Sequence, residues 1–129
     1  MFAAVTLPRL GFTRRVRLLV DTGADVTSLH PMDCQGIAYD LLGDTSETTG
    51  IGGISEYFRE PALVTFRDHE ESNLQVYRLS VDTARETQYN NSVPSLLGQD
   101  ILRNWHVIHD RFANELTFEV HLADFRAPA

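Results

Sequence analysis

The stretch Leu18-Leu19-Val20-Asp21-Thr22-Gly23-Ala24-Asp25 joins an apolar run to an acidic side chain at its end. The apolar run predicts a buried strand, and the small residues after it predict a tight turn. A carboxylate at the end of a buried strand lies where its surroundings can tune its protonation. Gly23 and Ala24 leave room for a substrate backbone to approach. An ordinary strand followed by an Asp-Thr-Gly turn would have the same sequence. This stretch alone therefore fits both a catalytic carboxylate and a purely structural turn.

A second informative segment, Thr48-Thr49-Gly50-Ile51-Gly52-Gly53-Ile54, follows about thirty residues downstream. Glycine-rich loops can bind phosphate, but a phosphate loop needs a helix and a lysine after it, and neither follows here. The segment therefore favours a hairpin that acts as a lid, or a plain hairpin with a glycine turn.

The third segment is Leu96-Leu97-Gly98-Gln99-Asp100-Ile101-Leu102. Two apolar residues, a glycine and a short helical run are consistent with a strand that passes under the first motif.

In this order and spacing, the three segments resemble the retropepsins, the single-lobe aspartic proteases of retroviruses and of some cellular and bacterial proteins. The resemblance extends from about Val16 to about Trp105. The Asp-Thr-Gly-Ala-Asp run matches the active-site loop, the Ile-Gly-Gly run matches the flap tip, and the Leu-Leu-Gly run matches the second signature. The resemblance implies an all-β lobe with one short helix in its C-terminal half. It also implies a homodimeric aspartic endopeptidase that cuts polypeptides without a cofactor.

The resemblance also assigns roles around the active-site loop. Asp21 is the expected catalytic carboxylate, and a second one must come from the partner chain because Asp-Thr-Gly occurs once. Thr22 is expected to reach the partner's backbone and hold the two loops coplanar. Gly23 is expected to accept a hydrogen bond from the substrate backbone, beside Ala24, and Asp25 to hold the substrate main chain further from the cut.

The remaining substrate-binding positions lie on the flap and the second signature. By resemblance, Ile51 and Gly52 form the flap tip, with Gly53 next to them, and a backbone N–H there holds a water against the substrate carbonyls. Ile54 and Leu96 are expected to line apolar pockets, which favours cleavage between apolar residues.

Gln99 departs from the retroviral pattern, in which an arginine at this position pairs with the second aspartate of the active-site loop. We expect Gln99 to bond Asp25 instead. A neutral donor gives a hydrogen bond about half as strong as a charged one, so the dimer is expected to be weaker.

Short runs with an alternating pattern dominate the rest of the chain, as in an all-β domain that spans residues 1–129. The sequence predicts strands at 2–7, 12–20, 54–66 and 74–81, a short apolar run at 93–97, a helix at 99–105, a hairpin of 106–112 with 115–121, and a frayed tail at 124–129.

Composition excludes several other functions. The net charge of −7 argues against a nucleic-acid partner, and no apolar run is long enough to span a membrane. Cys34 is the single cysteine and the N-terminus lacks signal-peptide features, so a cytoplasmic location is expected. No metal site is expected, because His106 and His109 are three apart on a predicted strand and point to opposite faces.

Two alternatives to an independent endopeptidase remain at this point. One is a catalytically silent dimerisation or peptide-binding module with the same fold, although such a module has no reason to retain Asp21. The other is a protease domain within a longer protein, which is compatible with the same chemistry.

Overall fold

The computed structural model describes residues 1–37, 45–50, 53–70, 72–86 and 91–129. Its elements are β1 (Phe2–Leu7), β2 (Phe12–Val20), β3 (Ser28–Leu29), β4 (Thr45–Gly50), β5 (Gly53–Arg67), β6 (Asn73–Ala84), β7 (Ser95–Leu97), α1 (Gln99–Leu102), β8 (Trp105–Asp110), β9 (Glu115–Val120) and β10 (Phe125–Pro128).

Strands β1 and β2 have the predicted bounds and form an antiparallel pair. Pro8 begins a short 3-10 turn that ends β1, because proline has no N–H to continue the ladder. Gly11 follows with φ 61°, a left-handed conformation that glycine adopts without strain. Alternate residues of both strands point into the core, as the period-2 pattern predicts: Ala3, Val5, Leu7, Val16 and Leu18.

Eight strands form one sheet in the order β10-β6-β3-β7-β2-β1-β5-β4. An additional β5–β6 pairing closes this sheet on itself in a barrel-like arrangement. The all-β prediction with one short helix is confirmed for the described residues.

A central three-strand arrangement positions the active-site loop. Strand β7 lies between β2 and β3, parallel to β2 and antiparallel to β3. The chain leaves the sheet after β2 and returns as β3 on the other side of β7. The loop of residues 21–27 therefore crosses the end of β7, as the sequence predicts for the second signature.

Strands β4 and β5 pair antiparallel, from Thr45 opposite Phe58 to Gly50 opposite Gly53. This pairing confirms the hairpin predicted around the glycine-rich segment. The predicted flap-tip residues, Ile51 and Gly52, lie outside the described residues.

The helix is shorter than predicted. It ends at Leu102, and Trp105 opens β8 instead of closing the helix. The Asn104 side chain donates to the carbonyls of Asp100 and Ile101 at 3.2 Å each, which satisfies groups that another helical turn would have bonded.

Burial of Trp105 fixes this boundary. The indole lies against Phe66 and Phe118, with ring centroids 5.0 and 5.2 Å away. Its Nε1–H donates to the Tyr77 hydroxyl at 2.6 Å. Aromatic pairs of this kind contribute about 0.5–1.5 kcal/mol each. The cluster joins the separate β8–β9 sheet to the main sheet.

The predicted frayed tail is wrong. Residues Phe125–Pro128 form β10, which pairs antiparallel with the first third of β6. The Asp124 carboxylate accepts the Arg78 N–H at 2.7 Å just before the ladder begins. Strand β3 covers only the far end of this edge of β6, so the rest of the edge is open for the tail to pair with.

Among the described residues, no helix has the length and apolarity needed to cross a bilayer.

Candidate active site

Asp21 lies directly after β2, at the start of the predicted active-site loop. Its N–H donates to the Leu97 carbonyl at 3.0 Å, so β7 fixes the point where the chain turns. Its own carbonyl accepts the Ala24 N–H at 3.1 Å, which closes a tight turn. The side chain is half-buried, and Oδ1 accepts the Gly23 N–H at 2.9 Å. The carboxylate is therefore held in place while remaining open to solvent on one side.

Gly23 keeps the approach to this carboxylate clear. A Cβ atom at Gly23 would lie 3.3 Å from Asp21 Oδ1, closer than most side-chain contacts. Thr22 and Gly23 are both exposed in the single chain. Their positions are compatible with the predicted contacts to a partner chain and a substrate.

The junction between β7 and α1 supports the loop through three hydrogen bonds. The Gln99 N–H donates to the Ala24 carbonyl at 2.8 Å, and the Asp100 N–H donates to the Asp25 carbonyl at 3.1 Å. The Gln99 side-chain amide donates to the Thr22 carbonyl at 2.9 Å. The second signature therefore holds the first one by backbone and side-chain contacts together.

The expected bond between Gln99 and Asp25 is wrong. The Gln99 amide binds a backbone carbonyl in the same loop, and the Asp25 side chain is exposed. A neutral amide lacks the ion-pair attraction that an arginine has for a carboxylate, so the Thr22 carbonyl can take the bond instead.

Sequence reasoning missed a second support, formed by Thr27 and Asp100. The Asp100 carboxylate accepts the Thr27 N–H at 2.8 Å and the Thr27 hydroxyl at 2.7 Å. The same hydroxyl accepts the Gly98 N–H at 3.1 Å. Thr27 is fully buried, so these bonds satisfy groups that would otherwise be desolvated without a partner. The available signal was the acidic residue in the first turn of α1, which helix termini favour.

Asp82 places a further carboxyl group behind this network. Its N–H donates to the Thr27 carbonyl at 3.1 Å, and its side chain is buried. Burial raises the pKa of Asp82, and the nearby Asp100 charge raises it further. The Arg59 guanidinium opposes this rise by lowering the pKa, with its Nη1 atom 3.9 Å from Asp82 Oδ1. The carboxyl is thus stabilised in its protonated form.

The other predicted substrate-binding residues are distributed between β5 and β7. Leu96 is half-buried in β7, opposite Leu19 on one side and Ser28 on the other. Gly53 and Ile54 lie at the start of β5. Two cavities of about 370 and 310 Å³ occur elsewhere, and Asp21 lines neither of them.

In the part of the chain that the structure describes, the potential metal ligands that converge lie away from this loop. Among the described residues, a convergent group of three such side chains occurs on the β8–β9 hairpin and not beside Asp21.

The fold defined by these elements is a retropepsin-like single lobe. Among solved structures, the chain is similar to the protease of EIAV complexed with the inhibitor HBY-793. The TM-score is 0.50 and the sequence identity is 20%, over 80% of this chain and 83% of that chain. No protein-family profile and no curated protein sequence matches the chain. The shared architecture is therefore a likeness of fold.

Proposed function

We propose that this protein is an aspartic endopeptidase that acts as a homodimer, with Asp21 of each chain forming the catalytic pair. The observation that carries the proposal is the position of Asp21. Its half-exposed carboxylate directly follows the half-buried strand β2, within an Asp-Thr-Gly loop that the β7–α1 junction supports. The likeness of fold to a retroviral protease supports the same assignment.

The chemistry follows from two carboxyl groups brought together. One carboxylate acts as general base on a water, and the other, protonated, donates a proton to the scissile carbonyl. Two like charges at short distance disfavour the second ionisation, so the pair shares one proton. No covalent intermediate forms, and neither a serine nor a cysteine nucleophile is needed.

Two observations support the requirement for a partner chain: the Asp-Thr-Gly motif occurs once in the sequence, and several large apolar side chains are exposed. Asp-Thr-Gly occurs once, so a second aspartate in that setting requires a second copy of the chain. A two-fold axis gives both copies the same contacts. Large apolar side chains are exposed at the start of β1 and on or after the β8–β9 hairpin, as is typical of an interaction surface: Met1, Phe2, Ile108, Phe112, Leu116, Leu122 and Phe125.

The proposed substrate is a polypeptide with apolar side chains on both sides of the cut bond. Half-buried Leu96 next to exposed Leu19 supports this preference, since both lie in the strands that end at the Asp21 loop. The proposed roles of Ile51, Gly52 and Ile54 in the lid rest on the resemblance to the retropepsin flap.

Asp21→Asn tests the function directly. The amide keeps the shape of the side chain and still accepts the Gly23 N–H, but it cannot act as a base. We expect peptidase activity on a random peptide mixture to fall by at least about 1,000-fold, within the range that general acid–base groups contribute. The unfolding midpoint should stay close to that of the wild type.

Asp110→Asn is the matched control, because its exposed carboxylate accepts a turn N–H from Ala113 that an amide also accepts. This variant should keep full activity. Cleavage by Asp21→Asn at the wild-type rate would reject the proposal. Binding of peptides without cleavage by the wild type would favour the silent peptide-binding module.

A further inference from the structure

Three potential metal ligands lie on one face of the β8–β9 hairpin. His106 on β8 pairs directly opposite Glu119 on β9. His121 follows Glu119 by two residues, and alternate residues of an extended chain share a face. The hairpin register therefore brings two imidazoles and a carboxylate together, although they are up to fifteen residues apart in sequence.

The three ligand atoms lie close enough together for small side-chain rotations to bring them around a single ion. The ligand atoms of the three side chains all lie within 4.8 Å of one another. His106 Nδ1 is 3.2 Å from Glu119 Oε2, and the two imidazole centroids are 6.1 Å apart. In the single chain all three side chains are exposed, so an ion can enter from solvent and can keep water in its remaining positions.

The backbone beneath this face is held on both sides. The His121 N–H donates to the Asn104 carbonyl at 2.9 Å, which extends the pairing one step beyond the hairpin ladder. Between these positions, Trp105 pairs with Val120 and packs into the core. Since fixed backbone positions reduce the ordering that binding requires, the three ligands are partly preorganised.

We propose that His106, Glu119 and His121 form a binding site for a divalent transition-metal cation, with Zn²⁺ as the matching ion. Imidazole nitrogens suit zinc and its neighbours, whereas calcium and magnesium prefer oxygen ligands alone. Three protein ligands leave one tetrahedral position for water. The site lies on the separate two-stranded sheet and does not depend on the proposed chemistry at Asp21.

The sequence comparison of His106 with His109 could not reveal this site. Those two residues do lie on one strand at odd spacing, and they face opposite sides. The relevant neighbour of His106 is across the hairpin, in a register that the turn at Ala113 and Asn114 sets.

Calorimetric titration of ZnCl₂ into the full chain at neutral pH tests the proposal. The wild type should bind one ion per chain in a saturable manner. His106→Ala, Glu119→Gln and His121→Ala should each lower the affinity at least about tenfold, the smallest loss that even supporting groups of metal sites cause. All three side chains are exposed, so these variants are expected to fold.

His109→Ala is the matched control, because it removes an exposed histidine from the opposite face of the same strand. It should bind zinc with wild-type affinity. A second readout is the zinc-dependent rise of the unfolding midpoint, which should be present in His109→Ala and absent in His106→Ala. The proposal is overturned if the wild type shows no saturable binding, or if His109→Ala loses as much affinity as His106→Ala.

Discussion

Gly98 is the residue that allows the β7–α1 junction to pack closely against the active-site loop. A Cβ atom here would lie 2.5 Å from the Val26 carbonyl carbon and 2.6 Å from its oxygen. Both atoms belong to the backbone and cannot move aside cheaply. Glycine at this position therefore allows β7 to approach the active-site loop closely enough for the Gly98 N–H to reach Thr27.

We predict that Gly98→Ala lowers the free energy of unfolding by about 3 kcal/mol, the upper part of the range for overpacked sites. Peptidase activity should fall with it, because the loop must shift. Chemical denaturation and kcat/KM measure the two effects. Gly11→Ala is the control: its φ is positive but its surroundings are open, so it should cost about 1 kcal/mol and leave activity intact. Equal destabilisation by both variants would contradict the close-contact explanation.

Asp82 gives a prediction about pH. Burial raises its pKa in the folded state, so the folded protein binds this proton more tightly than the unfolded chain does. The raised pKa therefore leaves the free energy of unfolding unchanged below the unfolded pKa. It lowers that free energy as pH rises through the folded pKa. Asp82→Asn should stabilise the protein by about 1 kcal/mol at pH 7, the size of a typical single substitution. The gain should shrink as pH falls toward 4.

Thermal unfolding of Asp82→Asn and wild type across this pH range measures the difference. The groups that face Asp82 are Arg59 on β5 and Asp100 on α1. A gain that stays constant with pH, or one that grows in acid, would contradict the assigned pKa shift.

The sequence predicts Asp21 and Gly23 as site residues because their motif is local. It does not predict the bond between Thr27 and Asp100, which are 73 residues apart. Neither residue type is unusual at its position. Their pairing depends on β7 lying beneath the loop, which is a tertiary arrangement.

At the scale of elements, local signals explain which boundaries could be predicted. Pro8 ends β1 because proline has no N–H for the ladder, and Gly11 allows the turn before β2 because glycine adopts a positive φ. The bounds of β1 and β2 were therefore predictable to the residue. The α1–β8 boundary depends instead on burial of Trp105, and β10 depends on an open edge of β6. Pattern alone cannot supply either fact, because both depend on a distant partner.

The β4–β5 hairpin carries the proposed lid, and Gly52→Val tests it. A β-branched residue is poorly tolerated at positive φ, which a lid tip with glycine can adopt. We expect kcat/KM to fall at least about tenfold while the unfolding free energy changes by less than about 1 kcal/mol, the lower part of the range for single substitutions. Gly11→Val should show the reverse, a loss of stability with little loss of turnover. Unchanged kinetics in Gly52→Val would mean that this hairpin is not a lid.

At the scale of the whole molecule, a single chain is an incomplete catalyst on this account. It holds one Asp21, and neither described cavity is lined by that residue. The proposed cleft forms between two copies, with one carboxylate from each. Catalysis and assembly are therefore coupled, and activity depends on which chains pair.

Mixing the wild type with Asp21→Asn measures this coupling most directly. At a constant wild-type concentration well above the dimer dissociation constant, a ninefold excess of the inactive chain should reduce activity to about a tenth after subunit exchange, because random pairing leaves about that share of wild-type chains with a wild-type partner. The same excess of Asp110→Asn should increase activity. Activity that does not respond to added Asp21→Asn would show that one chain is sufficient, and it would contradict the shared aspartate pair.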